Sequence, residues 1–418
     1  VRNVPMCRIR RNLPSAALPD PRARAYDEVS ALLRRCGTPA GARVAITAGS
    51  RGIDGVVGVL RATVRAVADA GGHPFLFSAM GSHGGGTPEG QRDVLAGLGI
   101  TEDAVGAPVS CSDRVVELGE TGAPLPGLPV FFAEEAAAAD AVIAVNRIKP
   151  HTSFHGPHES GLLKMLTVGS GRARGAAMVH RLGWSNMVAA IEAIGAVVLD
   201  RLPVIGGLGL VQDPYERLAA VEAMAADDIA ERESRLLERA RALLPRLPVD
   251  DLDALVVREM GKAYSGCGMD TNVIGRLRLE GMPEPERPRV RCLGVLDLAE
   301  DSHGNATGVG LADFTTERLV RAIDRSATYL NCLTSGGPQR AAVPMAFPDD
   351  AALLDAMGQM LRPQREADVR MAVIDNTLSL DSLWVSEAVL PEVAAVEEIE
   401  VTDRRPGPAF DAAGRLLP

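Results

Sequence analysis

The stretch Arg43-Val44-Ala45-Ile46-Thr47-Ala48, followed at once by Gly49-Ser50-Arg51-Gly52, decides the fold class. A short apolar run cut off by glycine and serine reads as a buried strand ending in a tight loop. A helical apolar period then runs from about Gly55 to Ala70 and stops at Gly71-Gly72. The cycle repeats with a strand at Pro74 to Ser78 and the loop Gly81-Ser82-His83-Gly84-Gly85-Gly86. Thr87-Pro88-Glu89 opens the next helix, with threonine as N-cap and proline at the first helical position. Ala139 to Val145 is a third buried strand, running into Asn146-Arg147-Ile148-Lys149-Pro150-His151. Strand, loop and helix in this alternation predict an α/β fold with a mostly parallel sheet covered on both faces.

Further along, Ser185 to Leu202 and about Ala219 to Leu244 read as helices, the second with a charged outer face. A second set of strands follows at Ala254 to Val257, Val290 to Leu296, Val369 to Ile374 and Leu383 to Val385. Helices near Thr316 to Ile323 and Ala351 to Leu361 lie between them, whereas the residues before Arg43 read as irregular. A boundary near Leu247–Asp251 predicts two α/β domains, residues 1–248 and 249–418, with the active site in the cleft between them.

Composition excludes some functions. Aromatics are 3% of the 418 residues and the net charge is −10, so neither base-stacking platforms nor a basic face for phosphate is on offer. No nucleic-acid partner is expected. No apolar run reaches the ~20 residues of a membrane span, and Val1 to Asn12 has no signal-peptide core, so a cytoplasmic protein without membrane contact is expected. Six scattered cysteines without a CxxC pair read as reduced, mostly structural thiols. Among 44 Lys+Arg the lysines are only Lys149, Lys164 and Lys262, all in Gly- or His-rich surroundings. Lysine can deprotonate and arginine cannot, so a lysine retained in an arginine-rich chain points to amine chemistry.

Ligands collect at the carboxyl ends of parallel strands, where the loops at Gly49, Gly81 and Asn146 all lie. In the second loop Ser82, His83 and Gly84 suit phosphate binding or the placing of a base, and equally a plain turn with an exposed histidine. The loop has neither a Walker lysine nor the GxGxxG spacing. The run from Lys149 to Lys164 holds His151, His155 and His158, with Glu159 beside them. Its spacing matches neither HExxH nor a zinc finger, so loop histidines acting as acid or base read better than a structural zinc site. Lys164, in Gly161-Leu162-Leu163-Lys164-Met165-Leu166, is either a surface lysine with a buried stem or an amine made nucleophilic by burial. His180 alone reads as core. Arg51 is suited to a bidentate hold on a small carboxylate, or is a turn residue.

These residues together resemble the nickel-dependent lactate racemase family, in a divergent branch. The resemblance rests on GSHGG around His83, the KPH of His151, the GLLK ending in Lys164, and His180 sixteen residues further on. It covers most of the chain. The stretch Glu259-Met260-Gly261-Lys262 through Ser265-Gly266-Cys267-Gly268-Met269-Asp270 resembles the divergent branch in particular. The resemblance implies a nickel-pincer nucleotide, a pyridinium-3-thioamide-5-thiocarboxylic acid mononucleotide holding nickel. Lys164 would be the residue joined to it, His180 the protein ligand to nickel, and Ser82 and Gly84 part of its binding loop. His83 and His151 would be the two acid/base residues, Arg51 and Lys262 substrate contacts, with Gln339 a further candidate. The implied activity is a racemase or epimerase of a 2-hydroxy acid, with cofactor-biosynthesis proteins as partners. The family commonly has an acidic residue where this chain has Ala48, and the His151–Lys164 spacing differs, which bears on the substrate more than on the cofactor. Two other functions remain open from sequence: a divalent-metal hydrolase or lyase built on His151, His155 and His158, and a non-catalytic binder of the cofactor or a small acid.

Overall fold

A computed structural model describes every residue of the chain except Glu397. Strand β1 (Met6–Arg11) is followed by eight strands: β2 (Arg43–Ala48), β3 (His73–Ser78), β4 (Val109–Ser110), β5 (Val115–Glu120), β6 (Pro129–Ala133), β7 (Ala141–Arg147), β8 (Val204–Gln212) and β9 (Leu218–Ala225). Seven more complete the set: β10 (Asp251–Met260), β11 (Arg289–Leu298), β12 (Phe314–Thr316), β13 (Met345–Phe347), β14 (Met371–Ile374), β15 (Ser382–Ser386) and β16 (Ile399–Arg405). The chain forms two units: Pro14–Leu244, and Val1–Leu13 together with Pro245–Pro418. The first thirteen residues therefore belong with the C-terminal unit, not with residues 14–248 as the sequence suggested.

In the Pro14–Leu244 unit the sheet order is β4-β3-β2-β7-β8-β9, parallel except for β9, and β5 and β6 form a separate antiparallel pair. The central strands are buried on both faces, as their unbroken apolar sequences require. Ile46, Ile143, Leu76 and Val59 lie in one core with the helices Pro21–Cys36 and Val56–Asp69, each such side chain contributing about 1.5–3 kcal/mol. The other unit has the order β13-β12-β11-β10-β14-β15-β1-β16, parallel from β13 to β14 and antiparallel beyond, with an apolar core on each face. No single helix among the described residues is long and apolar enough to cross a membrane.

Three local readings change. Residues 21–36 are helical, started by Pro21 and the Asp20 side chain, which accepts the Arg22 and Ala23 N–H groups. The apolar stretch from Ala219 is not helix: β9 occupies Leu218–Ala225, and the helix is confined to Ile229–Leu243. The charged face of that helix is not wholly outward, since Glu233 is 1% exposed.

Candidate active site

Strand β2 has β3 on one side and β7 on the other, so the chain reverses its direction of travel across the sheet between β2 and β7. A crevice forms at the carboxyl ends of strands at such a point. Here the β2–β7 pairing ends at Ile46 and Ile143. One residue on, the buried Thr47 hydroxyl accepts the Val145 N–H at 2.7 Å and donates to the Val145 carbonyl at 3.1 Å. A side chain thus bridges strands that are separating, and the loops carrying Arg51 and His151 leave from either lip.

The next loop over carries His83. Its N–H donates to the Met80 carbonyl, and the Ser50 hydroxyl contacts His83 Nδ1, which ties the β2 loop to the β3 loop. Gly84 and Gly85 both adopt left-handed backbone, with φ of 64° and 66°. At Gly84 a Cβ would lie 2.4 Å from the Gly90 carbonyl carbon, so this glycine is where the loop packs on the Pro88–Gly97 helix. Ser82 immediately precedes His83 and is partly buried.

Lys149 and Ser160 bond to each other through their backbones and close the neck of the histidine loop. The three histidines inside do not converge. His151 donates its backbone N–H to Glu159 Oε2 at 2.5 Å, and its Nδ1 accepts the Ser153 N–H at 3.1 Å, so a neutral ring carries its proton on Nε2. His155 faces Glu159 at 3.2 Å, and His158 faces Glu233 at 3.4 Å. Burial pushes the Glu159 carboxyl up, but hydrogen bonds from His155, the His151 N–H and Arg241 outweigh it and hold the group below the usual range. Among the described residues no three His, Cys, Asp or Glu side chains gather as a metal site, which leaves the divalent-metal alternative without its ligand set.

Beyond the loop, Leu162–Lys164 is a single α-turn that passes directly into a π-turn at Met165–Gly169. Single π-turns of this kind are frequent at functional sites. Lys164 stands at the junction. Its amine lies 5.3 Å from the centre of the Phe154 ring. Although Lys164 keeps some exposed area, burial of the amine, reinforced by the Arg51 guanidinium and opposed by Glu159, brings it down to about 7. His180 ends the Arg172–His180 helix; burial, and then the Lys164 charge, lower its affinity for a proton. Phe154 and Trp184 connect the set. The His151 ring is 4.2 Å from Phe154 and 6.0 Å from Trp184, and His180 meets Trp184 edge-on at 5.7 Å.

A chain of contacts and charge effects therefore links Lys164 to Arg51, links His151 and His180 through Phe154 and Trp184, and ties His83 to the Arg51 loop through Ser50. Lys262 lies in the other unit, where its amine donates to the Gly266 carbonyl and Asn331 Oδ1, and Gln339 is in a short 3-10 turn of that unit. Sequence reasoning missed Ser50, Phe154, Trp184, Glu233 and Arg241. For the two aromatics a signal existed: rings are scarce in this chain, and these two flank the histidine and lysine motifs.

The residues present suit a group that brings most of its own metal donors. A lysine amine with about neutral pKa can form a covalent link, and one partly buried imidazole held in its neutral form can supply a single further ligand. They do not suit a metal bound by side chains alone.

The sequence matches no family model and no curated protein. Among solved structures, the chain is similar to the lactate racemase apoprotein from Thermoanaerobacterium thermosaccharolyticum. That match has a TM-score of 0.54 at 11% identity and covers 89% of this chain and 99% of the other. It is also similar to a Thermotoga maritima protein solved by a structural genomics consortium, with TM-score 0.50 at 14% identity over 68% of this chain and 72% of the other. At these identities the likeness is one of fold: two α/β units with mostly parallel sheets, as in a lactate racemase.

Proposed function

We propose that the chain is a racemase or epimerase of a 2-hydroxy acid that works with a nickel-pincer nucleotide attached to Lys164. The observation that carries this reading is the buried amine of Lys164, brought to about 7, with the Arg51 guanidinium and His180 close enough to act on it or feel its charge. The fold shared with a lactate racemase apoprotein supports it. The cofactor-biosynthesis proteins would then be partners and a small 2-hydroxy acid the substrate.

The α-hydrogen of a 2-hydroxy acid is too weakly acidic for imidazole to remove as a proton. The bound group would supply the acceptor for it as hydride, with nickel held partly by His180. The protein's own residues do the rest. Arg51 holds the substrate carboxylate through its guanidinium fork and fixes the carbon to be inverted. His151 would take or return the hydroxyl proton at Nε2 in the tautomer protonated on Nδ1, which requires its contact with the Ser153 N–H to open. His83, steadied at Nδ1 by Ser50, does the same for the opposite enantiomer. Two bases are required because inversion is reversible and each enantiomer presents its hydroxyl differently. Ser82 and Gly84 would line the cofactor, and Lys262 would contact substrate.

Intact mass and nickel analysis after co-expression with cofactor-making proteins test the proposal. The wild type should carry a covalent adduct with about one nickel, Lys164→Ala neither, and His180→Ala the adduct with little nickel. An unmodified, nickel-free wild type would sink the proposal. Exchange of the α-deuterium in a panel of 2-hydroxy acids separates an enzyme from a non-catalytic binder, which would bind without exchange.

A further inference from the structure

The helix Ile229–Leu243 does more than cover the sheet. Two of its charged residues, Glu233 and Arg241, lie eight positions apart and so on nearly the same face, and that face is turned onto the loop between Lys149 and Lys164. Arg241 donates to the Gly156 carbonyl and to the Glu159 carboxylate, and Glu159 in turn holds the His151 N–H. Glu233 acts at the other end. Its Oε2 accepts the N–H groups of both Leu162 and Leu163, the latter at 3.0 Å, and these are the orphan donors that open the turn bearing Lys164. The carboxylate fits only because residue 161 is glycine: a Cβ there would lie 2.5–2.7 Å from its three carboxyl atoms. Its other oxygen faces His158 Nδ1 at 3.4 Å, both atoms being buried without a hydrogen bond.

We propose that Glu233, backed by His158, is a positioning residue that sets the direction of the Lys164 side chain by capping the turn from which it projects. The inference rests on reading Lys164 as the reactive amine. A carboxylate at 1% exposure is costly to bury, and on the outward face of its helix it would have stayed in water. It is spent instead on a segment seventy residues distant, whose next side chain is the lysine. The charged and titratable groups around the Lys164 amine include Arg51, Glu159 and His180, with His151 across the Phe154 ring and Glu233 behind the backbone. Loss of the Glu233 charge acts on Lys164 in two opposite senses. Electrostatically it would make the ammonium less stable and the amine more reactive. Positionally it lets the turn loosen and the amine reach water, which makes it an ordinary, protonated lysine. The sign of the change tells the two apart.

Competitive labelling with trace acetic anhydride on the full chain, without cofactor, reads this directly, because Lys149 and Lys262 serve as references in the same molecule. In the wild type Lys164 should label faster than both at pH 7.5, with a midpoint near neutrality. In Glu233→Gln, checked for folding by circular dichroism, its rate relative to Lys262 should fall at least fivefold and its midpoint should move up. A ratio within twofold of wild type, or a rise, overturns the role of Glu233 while leaving Lys164 as the reactive amine. A wild-type Lys164 no faster than the other two lysines overturns both. Should Glu233→Gln fail to fold, hydrogen exchange on the wild type decides. The Leu162 and Leu163 amides should be protected as strongly as those of β7, and exchange at the rate of open loop amides overturns the proposal.

Discussion

Gly84 and Gly85 offer a controlled comparison, since neighbouring residues in one loop share the same left-handed backbone and differ in what surrounds them. Alanine at either position incurs about 1 kcal/mol for the left-handed conformation. Both substitutions also stiffen the unfolded chain equally, so that contribution cancels in the difference. At Gly85 nothing lies within 4 Å of an added Cβ. At Gly84 the methyl would meet the Gly90 carbonyl carbon at 2.4 Å, its oxygen at 2.5 Å and the Gln91 nitrogen at 2.6 Å. These are backbone atoms of a helix and cannot swing aside, so overpacking adds roughly 1–3 kcal/mol. Gly84→Ala should therefore lose about 2–4 kcal/mol and Gly85→Ala about 1 kcal/mol or less. Urea unfolding followed by tryptophan fluorescence in a Trp384→Phe background leaves Trp184 as the reporter of the Pro14–Leu244 unit. With a slope near 3 kcal/mol per M, the two midpoints should differ by about 0.3–1 M. Equal midpoints, or a lower one for Gly85→Ala, would refute the claim that Gly84 is fixed by packing on the Pro88–Gly97 helix.

Other perturbations probe the remaining polar groups. Glu159→Gln should cost about 2 kcal/mol at pH 7, the worth of hydrogen bonds to a charged acceptor. Because the folded carboxyl is held below its unfolded value, the wild-type advantage is complete above about pH 4.3 and disappears as the pH falls through the lower, folded pKa. An advantage unchanged at pH 2 in urea titrations would contradict this account. Arg172, 1% exposed, pairs with Glu135 and donates to the Arg114 carbonyl, so Arg172→Met should lose about 3 kcal/mol by stranding the carboxylate. Adding Glu135→Gln should restore part of that loss, and strict additivity in the double-mutant cycle would show that the two residues are not coupled. Ser50→Ala should leave stability within about 0.5 kcal/mol. It should also raise the disorder of the His83 ring, visible as a narrower spread of its imidazole proton shifts, and unchanged shifts would remove Ser50 from its orienting role.

The parts of the fold that the sequence made plain are those where local signals and burial agree. β2, β3 and β7 are apolar runs ended by glycine or by a polar turn, and they lie where such runs belong, at the sheet centre. β9 was misread because Leu218–Ala225 is built largely of alanine, a helix former that also fits a tightly paired strand; only the β8 partner decides between them. The Pro21–Cys36 helix carried its own start signal in Asp20-Pro21. The histidine and lysine motifs were legible because each is a dense local constellation. Glu233 was not. In sequence it is one more charge on an arginine- and glutamate-rich helix, and its burial depends on backbone donors seventy residues away and on a glycine that leaves room for it. Phe154 and Trp184 left a trace as scarce rings beside the histidine and lysine motifs, but what gives them meaning is their approach to His151 and His180.

Strand β1 carries a consequence for the order in which the chain is made. Met6–Arg11 is made long before the rest of its sheet, and its two neighbours are β15 and β16, with Cys7 opposite Val385 and Arg404. At ordinary rates of synthesis that leaves the strand waiting on the order of 20–70 s for its partners. Residues 14–244 form one continuous unit and can close during that wait, whereas the unit that holds β1 cannot. An unpaired strand with buried-type residues such as Met6 and Ile9 is a hazard for as long as it stays open. Nascent chains stalled or cleaved before residue 382 should accordingly be sticky at β1 and well folded over residues 14–244. A strand made hundreds of residues ahead of its neighbours is thus paired only when they arrive.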